Sequence, residues 1–276
     1  MKRLILCLAV AAVLMAGCKQ KPKEFTTQVL SGSRCYLELF DKALFDNVDT
    51  IGVEIRYCVA WPDEGVMTPQ AMRELQYLYF GDSIATVEEA AARWLTSSFC
   101  YDDEDGVRKQ ERDSIDVPVD GPSSSIINGS CAMDNTLAVF TVWRESFCFG
   151  AAHGIYSADY LTVDKETGNA VHLSDLVTDT NLLCEAIAHA IQELEVNKET
   201  YECLFDEFKE VDRMPMPANF LVDSARNGIS VFYGLYEITP YCCGIQEITL
   251  PIFWLSKHVP LTPYAKRLFG EGCSIE

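Results

Sequence analysis

Residues 51–61 read IGVEIRYCVAW, and their alternation decides the fold. Ile51, Val53, Ile55, Tyr57, Val59 and Trp61 occupy every second position, with Gly52, Glu54, Arg56, Cys58 and Ala60 between them. Successive strand side chains point to opposite faces, so this period predicts a strand with one buried and one wet face. The chain then changes period. Thr68 offers an N-cap, Pro69 suits the first helical position and Gly81 closes the segment, which predicts a helix over 69–80. Thr86 and Glu89 have capping-box spacing ahead of Val87, Ala90, Ala91, Trp94 and Leu95, which predicts a second helix to about residue 99.

Residues 101–116, YDDEDGVRKQERDSID, lack large apolar side chains and are expected to form an exposed loop or disordered insert. Asp102, Asp103, Glu104 and Asp105 lack the spaced oxygens, central Gly and distal Glu of an EF-hand loop, so a solvated charge run is expected there. Strands are predicted from Ile126 onward, among them Leu137–Trp143 and Ile155–Val163, with 164–169 turning the chain back toward Val171–Leu173. Leu182, Leu183, Ala186, Ile187, Ala190, Ile191 and Leu194 share one face of a predicted helix over 180–195. Glu185, His189 and Glu193 share the opposite face, which reads as wet and polar rather than as a metal site. Phe220–Asp223 and Ile229–Leu235 read as a hairpin joined at Asn227-Gly228, 245–254 as a last strand, and Thr262-Pro263 to Gly270 as a final helix. This order lacks regular βαβ alternation and predicts an α+β fold, with largely antiparallel sheets flanked by helices.

The first residues predict location. Lys2 and Arg3 precede an unbroken apolar run, Leu4–Ala16, which is shorter than the ~20 residues needed to span a bilayer. Leu14-Met15-Ala16-Gly17-Cys18 resembles a bacterial lipobox, so 1–17 is expected to be a signal peptide and Cys18 the lipid-attachment residue. The polar stretch KQKPKEFTTQ completes an expected tether over 18–28. No second spanning stretch is read from the sequence, so a one-ended membrane anchor is expected, with the periplasmic side slightly preferred over the cell surface. Removing Lys2 and Arg3 takes the net charge from −19 to −21, which disfavours nucleic acid and anionic lipid and favours basic partners. Setting aside Cys7 and Cys18, ten of the 12 cysteines remain; their spacing holds no CxxC and leaves the pairing open.

Three segments carry a resemblance: Gly150-Ala151-Ala152-His153-Gly154, DKETGNAVHLSDLV at 164–177, and YEITPYCCGIQEITLP at 236–251. Together they resemble the C-terminal domain of RsiV-like envelope proteins. That domain is shared by a lysozyme-sensing anti-sigma factor, PdaC-type peptidoglycan deacetylases and many lipoproteins. The resemblance covers 136–258, with Ala151 where the family commonly has a second glycine and Cys242-Cys243 at the corner. It implies an N-terminal subdomain over 29–130 and the RsiV-like domain over 131–276. On the residues alone, small side chains at 150–152 suggest close backbone approach, Pro240 and Gly244 a bulged corner, and His153 a structural hydrogen-bonding role.

The sequence holds no HExxH, GxSxG, Walker loop or GxGxxG, and His153, His172, His189 and His258 are scattered, so no catalytic residues, metal or cofactor are expected. The expected function is a non-catalytic binding or sensing module. The resemblance implies lysozyme or cell-wall peptidoglycan as its partner. Two alternatives are a hydrolase or deacetylase acting on peptidoglycan or glycan, and a structural lipoprotein.

Overall fold

A computed structural model describes residues 24–40, 49–97, 107–223 and 228–270. The leader, Cys18, the Asp102–Asp105 run and Asn227 lie outside the described residues. The main sheet contains β1 (Thr27–Leu39), β2 (Thr50–Pro62), β3 (Arg108–Arg112), β4 (Gly121–Met133), β5 (Leu137–Phe147) and β6 (Ile155–Asp164). Their order is β3-β1-β2-β4-β5-β6, antiparallel throughout except for the parallel pair β2–β4. A parallel pair needs a crossover, which α1 (Pro69–Phe80), α2 (Val87–Thr96) and β3 supply.

The alternation in 51–61 governs how the sheet buries. Ile51, Val53, Ile55, Val59 and Trp61 are buried, whereas Glu54, Arg56 and Cys58 are exposed. Leu75 and Tyr79 of α1 and Ala90 and Ala91 of α2 join Val59, Phe140, Val142 and Val163 in one core layer. Each large aliphatic side chain buried there contributes about 1.5–3 kcal/mol. Both helices begin as expected. The Thr68 hydroxyl accepts from Ala71 N at 3.3 Å, and Thr86 and Glu89 exchange bonds at 3.3 and 3.2 Å. Gly81, at φ 70°, closes α1 by donating to Tyr77 O at 2.8 Å.

Several expectations are corrected. Phe25 is buried and β1 begins at Thr27, so 24–28 belong to the folded body rather than to a tether. Within 101–116, residues 108–112 form an edge strand on β1; its charged RKQER sequence suits an edge, where outward charges discourage further pairing. A boundary at residue 130 would cut β4, which is hydrogen-bonded to both β2 and β5, so the two halves share one sheet. After the turn the chain returns to β6 through a Val163–Ala170 bridge and a bond from Val171 N to Thr162 O at 2.8 Å, and Leu173 starts the short helix α3 (Leu173–Leu176) instead of a strand.

The C-terminal part continues with α4 (Thr180–Glu193), α5 (Lys198–Cys203), β7 (Asn219–Asp223), β8 (Gly228–Tyr233), β9 (Gln246–Pro251), α6 (Ile252–His258) and α7 (Pro263–Phe269). The expected last strand stops at Pro251, whose φ of −60° suits a helix start, and α6 takes over 252–254. β7, β8 and β9 form an antiparallel sheet on which Leu183, Ile187 and Ile191 of α4 pack, meeting Val231, Ile248 and Leu250. Asn219 joins the two sheets: its Oδ1 accepts from Tyr160 N at 2.9 Å and its Nδ2 donates to Ala158 O at 2.6 Å. The fold is α+β with mainly antiparallel sheets, as the sequence predicts. Among the described residues no helix is long and apolar enough to cross a membrane.

One core position is electrostatically unfavourable. Glu38 of β1 is fully buried between Ile51 and Lys109, and its carboxyl oxygens have at most a poorly formed hydrogen bond with the Tyr36 hydroxyl among the described residues. Burial pushes its pKa above the ordinary 4.5, and the charge of Lys109, with a smaller contribution from the Tyr36 hydroxyl, offsets this only in part. With the folded value raised, Glu38 favours the fold fully below its unfolded value, and that contribution is lost as pH rises through the folded value. Glu38→Gln is therefore expected to raise stability at pH 7 by about 1 kcal/mol and to flatten the decline above pH ~4.5. Urea unfolding across pH checks this; an unchanged profile would show that Glu38 is not the cause.

Candidate functional site: an aromatic corner

The β5–β6 turn and the segment before β9 meet at one end of the molecule. Gly150 takes φ 87° and Ala151 N donates to Cys148 O at 3.0 Å, which turns the chain toward His153. On the other side, a 3-10 turn over Tyr241–Cys243 follows Pro240 and ends at Gly244, φ 72°. The rings of His153 and Tyr241 stack at 3.8 Å, and the Tyr241 hydroxyl donates to Gly154 O at 2.8 Å. Tyr156 lies edge-on to Tyr241 at 6.1 Å and stacks on Trp143 at 5.3 Å. Trp143 is 37% exposed and Tyr236 is 56% exposed, so the cluster faces solvent.

The hydrogen bonds assign the tautomer of His153. Its Nδ1 lies 3.0 Å from Gly154 O, which can only accept, so the proton sits on Nδ1. In the neutral ring Nε2 then accepts from the Tyr236 hydroxyl at 3.1 Å. Tyr236 has φ 64°, a left-handed backbone that costs a non-glycine residue about 1–2 kcal/mol. A strained, exposed tyrosine held against a histidine is a common mark of function.

The sequence places His153, Tyr236, Tyr241 and the Cys242-Cys243 corner on segments it singles out, and the structure brings them together. It misses Trp143 and Tyr156, which reach the corner only through the β5–β6 register; an aromatic side chain on the face of β5 opposite Phe140 and Val142 is the available signal. Gly150 works through its positive φ, with nothing among the described residues within 4 Å of a Cβ; close approach occurs at Gly154, where a Cβ would lie 3.0 Å from Ser146 O. The other histidines lie elsewhere. His172 faces Glu74 at 3.5 Å, His189 faces Glu193 at 3.5 Å, and His258 stacks on Trp254 at 3.9 Å. Among the described residues no group of His, Cys, Asp and Glu could hold a metal. Cys35, Cys58, Cys131, Cys184, Cys203, Cys242 and Cys243 are free thiols, and Cys148 is disulfide-bonded. A hydrogen bond with Cys203, followed by burial, pushes the Cys243 thiol up.

An α+β body with an aromatic corner on its sheet end is the class that this fold and site define. Residues 174–252, inside the stretch that carries the RsiV-like resemblance, match the family model described as "Protein of unknown function (DUF3298)". A crystal structure of a DUF3298 family member from Bacteroides fragilis NCTC 9343 aligns over 88% of this chain and 95% of its own, at 18% identity and TM-score 0.51. A DUF3298 family protein from Pseudomonas aeruginosa PAO1 aligns over 88% and 97%, at 11% identity and TM-score 0.49. No curated protein matches the chain. The Bacteroides likeness supports the fold alone.

Proposed function

We propose that this chain is a non-catalytic envelope binding module, lipid-anchored through Cys18, whose aromatic corner takes a basic protein of the lysozyme type. The support is the corner itself. Two segments that carry the RsiV-like resemblance meet so that exposed Trp143 and Tyr236 and half-buried Tyr156 and Tyr241 gather around His153. Tyrosine and tryptophan bring large contact area at low entropic cost and dominate protein-binding hot spots. The charge of −19, or −21 once the leader with Lys2 and Arg3 is removed, adds long-range attraction for a cationic partner, which speeds encounter and weakens with salt.

Titration of the full-length protein with hen egg-white lysozyme at low salt tests this reading, with binding expected to weaken steadily as salt is added. Tyr236→Gly separates the site from the fold. Removing the left-handed strain is expected to hold or raise stability by up to about 1 kcal/mol, while loss of the ring weakens binding about thirtyfold. Absence of binding at low salt would sink the proposal, as would a Tyr236→Gly variant that binds like the parent. For the anchor, Cys18→Ala is expected to release the protein from membranes, and protease shaving of intact cells distinguishes the periplasmic face from the surface.

A further inference from the structure

A cleft of about 550 Å³ runs along α1, between that helix, the turn after β6 and the start of α7. A second hollow of about 460 Å³ continues it past the middle of α1, and Gln70, Glu74, Val171 and His172 line both. The two hollows adjoin along these shared residues as a trough interrupted where His172 Nε2 approaches Glu74 Oε2 at 3.5 Å. Either volume falls in the ordinary range for a small-molecule site.

The two ends differ in chemistry. Thr68, Asn169, Asp175 and Tyr264 line the first, offering hydroxyl, amide and carboxylate groups. Tyr77, Leu78, Tyr160 and Phe220 line the second, and Tyr77 is 61% exposed without being part of the aromatic corner. A purely apolar ligand would take water from the carboxylates of Glu74 and Asp175, whose partners Gln70, His172 Nε2 and His172 N leave part of their hydrogen-bonding capacity to solvent, at high cost. An anion would meet Glu74, Asp164 and Asp175, with Arg73 the one Lys or Arg side chain in the lining among the described residues. What fits is a long ligand whose groups both donate and accept hydrogen bonds and whose C–H faces lie on aromatic rings. Sugar rings have both properties.

We propose that this trough binds a neutral oligosaccharide, with sugar rings against Tyr77 at one end and sugar hydroxyls meeting Gln70, Glu74 and Asn169 toward the other. The site is distinct from the corner and does not depend on the lysozyme reading. Calorimetric titration of the full-length protein with cellotetraose, chitotetraose and tetragalacturonate tests it. At least one neutral sugar is expected to bind saturably, and tetragalacturonate, with a carboxylate on every ring, is expected not to. The exposed Tyr77→Ser change is expected to weaken sugar binding about tenfold and to leave lysozyme binding unchanged. The proposal is overturned if neither neutral sugar binds, if Tyr77→Ser binds as the parent does, or if the anionic sugar binds best. A Tyr236→Gly variant that keeps sugar binding while losing lysozyme supports two separate sites.

Discussion

Asn197→Ala is expected to lower stability by about 3 kcal/mol, one of the two largest single-residue losses anticipated here. Asn197 follows α4 and is 1% exposed. Its Nδ2 donates to Ala190 O at 3.0 Å and to Thr249 O at 3.1 Å, and its Oδ1 accepts from Thr249 N at 3.0 Å. β9 is an edge of the three-stranded sheet, so the outward groups of Thr249 lack a strand neighbour. The amide of Asn197 stands in for that neighbour and ties the edge to the end of α4. Alanine removes all three bonds and strands the N–H and C=O of Thr249, each worth about 1–3 kcal/mol if left dry, while Ala190 O keeps its bond from Leu194 N at 3.1 Å. Urea unfolding followed by circular dichroism measures the loss, and a loss under about 1 kcal/mol would mean that water replaces the amide. Asn197→Asp keeps the shape but gives up both donors and buries a charge, so it is expected to be at least as damaging.

Such edge amides have no sequence mark, whereas helix ends do. Thr68, Pro69 and Gly81 bound α1 through chemistry local to the chain, and the helix spans 69–80 as read. The capping box likewise places the start of α2, which stops at Thr96, earlier than expected. β1 escaped because TQVLSGSRCYLEL has little alternation: only Tyr36, Leu37 and Glu38 are buried. Its Gly32 is dictated from outside, since a Cβ there would sit 2.7 Å from the Tyr57 ring. β3 escaped because its charges read as solvated loop, and its pairing comes from the exposed edge of β1. The corner was legible in pieces. His153 and Tyr236 lie on segments that stand out, but their contact spans 83 residues and depends on how the two sheets meet. Asn219 makes that meeting through side-chain bonds to β6, and nothing in the sequence around Asn219 announces them.

Asp164→Ala is expected to cost a further stability loss of similar size, about 3 kcal/mol, through a different arrangement. Asp164 ends β6 and is buried. Its Oδ1 accepts from Glu166 N at 3.0 Å, Thr167 N at 2.9 Å and the Thr167 hydroxyl at 3.2 Å, which shapes the turn. Its Oδ2 accepts from the Tyr264 hydroxyl at 2.9 Å, which docks α7 against the main sheet. Burial, then this bond, raises the pKa of Tyr264 well above that of a free phenol, so the docking is present below pH ~10 and is lost as pH rises through the folded value. A double-mutant cycle isolates the contact. Tyr264→Phe alone is expected to cost about 1–2 kcal/mol and to cost almost nothing once Asp164 is alanine, giving a coupling of about 1 kcal/mol or more. Additive losses would mean that α7 is held by apolar packing around Ala265 and Leu261 alone.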